Sequence, residues 1–371
     1  MTDDPRLSEA KSMPMQEVVT RLEIAGLVRT GAELVGPCPE CGGTDRFGVS
    51  LRKGLFQCRI CGAKGDQVAL VQFVRHVDFR AALDWLCGPA AGLSEAERAE
   101  RARKSAENAA RQARAAEKYR REAVASARAI WNEGLPPEGT PVRAYLARRG
   151  FGPDLLPRLP DCLRYHPACR YTVQIGGDWR VIHTGPAMLA VVQGPDGKGT
   201  AVHRTWIDLD HPKGKVALAH PETGEALPAK KVQGAKKGGA IRLTHPRTVP
   251  AVLVMAEGIE TTLSALVADA IPGAGYWAGV DLGNMAGQRM LGQGRKYAGI
   301  PDMEDAEAFV PPEGVRRLIY VQDGDSEPRL TRAKLLAGCR RAMASRRGLR
   351  AQIVRVPEGR DMNDVLLGMG E

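Results

Sequence analysis

Three times in its last third the chain builds a short apolar run and breaks it on an acid. Ala251-Val-Leu-Val-Met-Ala runs into Glu257-Gly258, and Arg317-Leu-Ile-Tyr-Val-Gln322 into Asp323-Gly324-Asp325. Ala351-Gln-Ile-Val-Arg-Val356 passes through a Pro-Glu-Gly turn to Asp361-Met-Asn363-Asp364. A helix-favouring stretch from Thr261 to Ala270 follows the first run, and a basic, Ala/Leu-rich one reaching about Gly348 follows the second. Strand, helix, strand in this order predicts right-handed βαβ units and a parallel sheet. Sites in such sheets gather at the carboxyl ends of strands, so one crevice is expected to collect these carboxylates. A cage of hard oxygens suits Mg²⁺ or Mn²⁺.

The first 88 residues carry a different signal. Cys38-Pro-Glu-Cys41-Gly-Gly and Cys58-Arg-Ile-Cys61-Gly are two Cys-x-x-Cys turns about sixteen residues apart. Each turn aims two thiolates at one point, and the following glycines let backbone N–H groups approach the sulfurs. The four together predict one tetrahedral structural Zn²⁺ with no open position. Eight cysteines in a chain whose start lacks the order of a signal peptide read as metal ligands and free thiols, and the expected compartment is the cytoplasm. Between the knuckles, Arg46-Phe47 and Leu51-Arg52-Lys53-Gly54 predict a hairpin with a basic tip. Arg46, Arg52 and Lys53 would meet phosphates and Phe47 would stack a base, whereas Phe56 is assigned to the module's small core. Val68 to Val74 and Phe79 to Leu86 are expected to be helices closing the module.

Residues 89–130 are rich in Ala, Arg and Glu with few large apolar side chains, which predicts an exposed helical connector. Residues 131–249 return to core-type composition. Met188-Leu-Ala-Val-Val-Gln and Ala201-Val-His-Arg204-Thr-Trp-Ile-Asp208 alternate as strands around a Pro-Asp-Gly-Lys-Gly199 turn. Arg204 is expected to point off this sheet, and Lys230, Lys231, Lys236 and Lys237 to sit in a flexible glycine-rich loop suited to triphosphate. Cys162, His166 and Cys169 are spaced too loosely, and crowded by too many arginines, for a second metal site. A formal net charge of +10 favours a polyanionic partner. No apolar run approaches the length of a membrane span.

The pattern from residue 250 to 371 resembles the Toprim domain of bacterial-type primases, topoisomerases, recombination mediators and some nucleases. Glu257-Gly258 and Asp323-Gly324-Asp325 match its signature, and Glu-Gly-Ile-Glu-Thr with Gly-Arg-Asp-Met-Asn-Asp-Val-Leu resembles primases of phages, plasmids and satellite phages. Gly-Gly-Thr-Asp-Arg-Phe and Cys-Gly-Ala-Lys-Gly-Asp resemble primase zinc-binding domains, and the middle resembles the basic sheet that precedes Toprim. The resemblance implies an α/β chain of four parts: a template-binding zinc ribbon, a helical connector, a basic α+β region and a Toprim catalytic domain. It implies primer synthesis on single-stranded DNA from nucleoside triphosphates in a phage or mobile element. Glu257, Asp323 and Asp325 would be catalytic and, with Asp361, would hold two Mg²⁺ or Mn²⁺ ions. Asn363 and Thr261 depart from the family, which often has acids at both places. A non-catalytic recombination mediator and a Toprim nuclease are the alternatives. The first is shorter and lacks the basic middle. No nucleotide-binding Gly-x-x-x-x-Gly-Lys-[Ser/Thr] loop is present, which argues against ATPase-linked nucleases and makes the replicative helicase a separate partner.

Overall fold

The computed structural model describes residues 4, 6–31, 33–89, 95–176, 178–244, 249–268, 271–290, 297–323, 327–356 and 362. Internal contacts divide the chain into two units: Met1–Tyr119 with Thr172–Val181, and Arg120–Tyr171 with Ile182–Glu371. The long helix is shared between units, and the basic region joins the carboxyl-terminal sheet because one hydrophobic core runs through both.

In the first unit, α1 (Arg6–Ser12) and α2 (Met15–Arg21) precede a five-stranded antiparallel sheet. Its strands are β1 (Val28–Thr30), β2 (Glu33–Cys38), β3 (Gly42–Ser50), β4 (Leu55–Cys58) and β5 (Lys64–Gly65), in that spatial order. Then come α3 (Gln67–Arg75) and α4 (Phe79–Cys87). Asp66 and Asp78 cap these helices by accepting from the N–H groups of Ala69 (3.1 Å) and Ala81 (2.8 Å). The core is aromatic: Phe47, Phe56 and Phe73 lie with ring centroids 5.6–6.2 Å apart, surrounded by Met15, Val18, Val49, Leu70 and Leu83. The connector is α5 (Glu95–Asn132), 38 residues long, with exposed pairs such as Arg103 with Glu100 on its surface.

In the second unit the carboxyl-terminal part of α5 is followed by α6 (Pro141–Arg148), capped by Thr140. An antiparallel sheet follows, built from β6 (Leu163–Ile175), β7 (Asp178–Gln193), β8 (Gly199–Trp206) and, after the small ladder β9 (Leu218–Ala219) with β10 (Ala226–Leu227), β11 (Lys230–Gly234). Its order is β11-β8-β7-β6. Lys230 and Lys231, expected in a loop, are therefore strand residues: Lys230 lies opposite Thr205 and Lys231 opposite Arg204.

The remaining elements are β12 (Ile241–Arg242), β13 (Val252–Ala256), α7 (Ile259–Val267), β14 (Gly275–Ala278), α8 (Leu282–Ala286), β15 (Arg317–Gln322), α9 (Pro328–Ser345) and β16 (Arg350–Arg355). They form a sheet of order β12-β14-β13-β15-β16 in which β14, β13, β15 and β16 are parallel and β12 is antiparallel. The three runs read as strands are β13, β15 and β16. The fourth parallel strand, β14, is only four residues long and ends on no acid, so it gave no comparable signal. Among the described residues, no helix is long and apolar enough to cross a membrane.

Candidate active site and zinc centre

The zinc centre forms where β2 ends, β3 begins and β4 ends. The sulfurs of Cys38, Cys41, Cys58 and Cys61 all lie within 4.8 Å of one another, with Cys38 to Cys61 at 3.9 Å and Cys41 to Cys58 at 3.5 Å. Tetrahedral Zn–S bonds of about 2.3 Å require sulfurs about 3.8 Å apart, so the four fit one zinc ion. Gly42 (φ +65°) and Gly62 (φ +76°) follow each pair in the left-handed conformation the knuckle turn demands. The thiols cannot all ionise without a cation. Against its burial, backbone N–H groups of Cys61 and Ile60 hold Cys58 down at about 6. Cys61 receives the Ala63 N–H, yet burial and three neighbouring sulfurs push it up to about 12. A bound Zn²⁺ removes that conflict. Among the described residues this is the one cluster of three or more such side chains able to hold a metal. Cys162 and Cys169 are buried, and His166 instead lies 3.0 Å from Glu133.

The hairpin β3–β4 forms as expected, but its ring does not serve as expected. Phe47 is fully buried against Phe56 and Phe73, so it is a core residue and no base can stack on it. The alternation of β3 turns this position inward. Half-buried Arg46 donates to the Cys41 carbonyl at 3.2 Å, behind the first knuckle. Arg52 and Lys53 are exposed, with the Arg52 guanidinium 3.8 Å from the Tyr119 ring centroid.

In the second unit, Glu257 leaves β13 and Asp323 leaves β15, the two being adjacent parallel strands. Both are half-buried and line one pocket of about 380 Å³. Thr261, on the first turn of α7, donates its hydroxyl to Asp323 at 3.2 Å. An acid there would repel Asp323; the threonine instead ties α7 to the end of β15. Gly324, Asp325, Asp361 and Asn363 lie outside the described residues.

The same pocket is also lined by cations: Arg149, Lys215 and Lys230 share it with His203, Glu260 and Val280. Glu260 receives three donors: Tyr145 Oη at 2.6 Å and Lys215 Nζ at 2.7 Å on Oε1, and Lys230 Nζ at 3.1 Å on Oε2. Burial alone would raise its carboxyl, but Lys230 and Lys215 outweigh that and hold it well below the usual carboxylate range. Burial also lowers Lys215, with Glu260 pulling the other way. His203 is depressed to about 3 by burial and by Lys230, so its imidazole is neutral. A second groove of about 400 Å³ shares His203, Lys230 and Val280 and adds Lys236 and Asp281, which form an ion pair.

Of the five cations assigned to triphosphate, Lys230 lines both pockets, Lys231 and Lys236 line the second groove, and Arg204 and Lys237 line neither. Successive strand residues alternate faces, so Arg204 and Lys231 lie on the face opposite His203 and Lys230. Arg204 sits 5.1 Å from the Trp206 ring and Lys231 4.4 Å from the Tyr171 ring, and burial lowers both. Lys237 is exposed and pairs with Glu307. The sequence reading missed Arg149, Lys215, His203, Tyr145 and Glu260. His203 and Glu260 stand inside the quoted motifs, whereas nothing local marks Lys215 or Arg149.

Residues 9–101 match the CHC2 zinc finger family of DnaG type, and residues 121–243 match a family described only as a domain of unknown function, DUF7146. The amino-terminal module is thus a DnaG-type zinc ribbon joined to a mixed α/β body. No curated protein matches the chain. Among solved structures, the Aquifex aeolicus primase (zinc-binding and RNA polymerase domains) is 14 % identical, covering 100 % of this chain and 83 % of that one at a TM-score of 0.38. The DnaG primase catalytic domain bound to single-stranded DNA is 13 % identical, covering 68 % and 79 % at 0.40. The primase fragment of the bacteriophage T7 primase-helicase is 12 % identical, covering 90 % and 95 % at 0.32. At these scores the likenesses establish no shared fold.

Proposed function

We propose, from the DnaG-type zinc ribbon at residues 9–101 and the pocket of the second unit, that this chain is a DNA primase. The observation that carries the reading is the pocket itself. Carboxylates at the ends of two adjacent parallel strands share it with Arg149, Lys215 and Lys230. On this reading the parallel sheet is a Toprim domain, and the substrates are nucleoside triphosphates on a single-stranded DNA template. The setting is replication of a phage or other mobile element, with a separate helicase.

Primer synthesis joins a 3′-hydroxyl oxygen to the α-phosphorus, breaks the bond from that phosphorus to the α–β bridging oxygen, and releases pyrophosphate and the hydroxyl proton. Glu257 and Asp323 would supply the hard oxygen donors that Mg²⁺ or Mn²⁺ prefers, and Asp325 and Asp361 would add to them. A pair of such ions would lower the hydroxyl's pKa and stabilise the oxygens that enter and leave. Lys215, Lys230 and Arg149 would hold the β- and γ-phosphates, whose charge grows as pyrophosphate departs. The zinc ribbon would select the template site, with exposed Arg52 and Lys53 meeting the backbone. The test is incubation with single-stranded DNA, labelled nucleoside triphosphates and Mg²⁺ or Mn²⁺. Short labelled products that require template are expected, and their absence with both metals would refute the reading.

A further inference from the structure

Among the cations of the pocket stands an acid that the proposed chemistry does not require. We propose that Glu260 is a positioning residue for polyphosphate, holding Lys215 and Lys230 as a charged fork at the pocket floor without itself contacting metal or phosphate. This rests on the nucleotide-binding reading above.

The geometry is that of a built anchor. The Glu260 side chain is 8 % exposed, Lys215 19 % and Lys230 37 %, so the carboxylate is the most deeply placed of the three. Its oxygens divide the donors: Oε1 takes Lys215 and the Tyr145 hydroxyl, and Oε2 takes Lys230. An ammonium has three N–H groups, so each lysine keeps donors for a second anion after satisfying Glu260. The three residues also come from separate places: α7, an isolated β-bridge to Ile207 before β9, and the first residue of β11. Without Glu260, nothing among these contacts would bring the two ammonium groups to one point.

Charge gives the second argument. Lys215 faces Glu260, Lys230, Arg149 and Tyr145, while Lys230 faces Glu260 and the neutral imidazole of His203. Glu257 and Asp323 share the cavity. A poorly solvated lysine beside like charges loses its proton readily. Glu260 is the carboxylate bonded directly to Lys215, so it opposes that loss. Removing its charge lowers the pH at which the fork begins to fail.

The test is calorimetric titration of the full chain with tripolyphosphate from pH 6 to 9, for wild type and Glu260→Gln. The ligand ionises identically in both series, so it cancels in the ratio. Relative to wild type, the variant should lose about tenfold in affinity between the two ends, the size of one charge-assisted hydrogen bond. Adding Lys215→Arg should flatten its curve, because a guanidinium stays charged across this range. Parallel curves for wild type and Glu260→Gln, or no flattening by arginine, would overturn the proposal. Should Glu260→Gln fail to fold, Lys215→Met leaves Glu260 with Lys230 and Tyr145. It should then bind about tenfold more weakly at every pH, and unchanged affinity would overturn the fork. Wild-type protein that binds no tripolyphosphate at any pH would instead defeat the nucleotide-binding reading itself.

Discussion

His203 makes a sharp prediction about acid stability. It lies in β8 with 7 % of its surface exposed, its Nδ1 has no hydrogen-bond partner among the described residues, and Lys230 stands near it. Its folded-state pKa is held at about 3, against 6.5 for an ordinary histidine. As pH falls through 6.5 the unfolded chain takes up a proton that the folded chain refuses. Stability is therefore lost progressively from about pH 6.5 down to about pH 3. At about 1.4 kcal/mol per unit the full window is worth roughly 5 kcal/mol, and the part between pH 7 and pH 5 about 2 kcal/mol. Urea unfolding of wild type and His203→Gln at pH 7 and pH 5 isolates the term, because other titrating groups are common to both. Wild type should lose about 2 kcal/mol more than the variant over that interval. Equal losses would refute the reasoning, as would an imidazole that titrates near 6.5 by NMR in the folded protein.

Phe47→Ala should destabilise the first unit by about 3–5 kcal/mol by emptying the ring cluster, whereas Phe47→Leu should leave single-stranded DNA affinity unchanged; a tenfold affinity loss in a folded Phe47→Leu protein would restore the stacking role. Cys58→Ser should release zinc and unfold the ribbon, whose metal contributes on the order of 10 kcal/mol, while the second unit keeps its own thermal transition. Asp323→Ala should abolish primer synthesis with the circular dichroism spectrum unchanged, since the side chain lies at a strand end beside the pocket.

What the sequence made legible was local. Two Cys-x-x-Cys turns place four sulfurs whatever the rest of the chain does. Apolar runs between helical stretches announced β13 and β15, because burial on both faces removes polar alternation, whereas β16 is an edge strand left largely exposed. Failures came where a single residue of register decides the outcome. In His203-Arg204 the cation drew attention, yet the pleat turns the histidine toward the pocket and the arginine toward Trp206. The Arg46-Phe47 step is the same error, with the aromatic taken inside the fold.

Lys215 and Arg149 were illegible for a different reason. Arg149 sits in the turn after α6 and Lys215 in an isolated β-bridge to Ile207, where local composition predicts only a solvated cation, and tertiary packing alone sets them in one pocket with α7. That packing also gives Glu260-Thr261 a joint meaning that neither residue has alone. Glu260 turns toward the lysines, while Thr261 turns toward Asp323 and donates to it. A carboxylate at position 261 would add charge beside Asp323, whereas one at 260 adds it beside the lysines. The two adjacent positions thus place the negative charge of this turn among the cations of the pocket. Exchanging them, Glu260→Thr with Thr261→Glu, keeps composition and net charge while moving one carboxylate across. Tripolyphosphate binding should then weaken, and divalent-metal affinity should change in the opposite direction, because a third oxygen donor joins Glu257 and Asp323. Calorimetry with each ligand measures both effects, and a swap that leaves either affinity unchanged would show that the two groups are not separately wired.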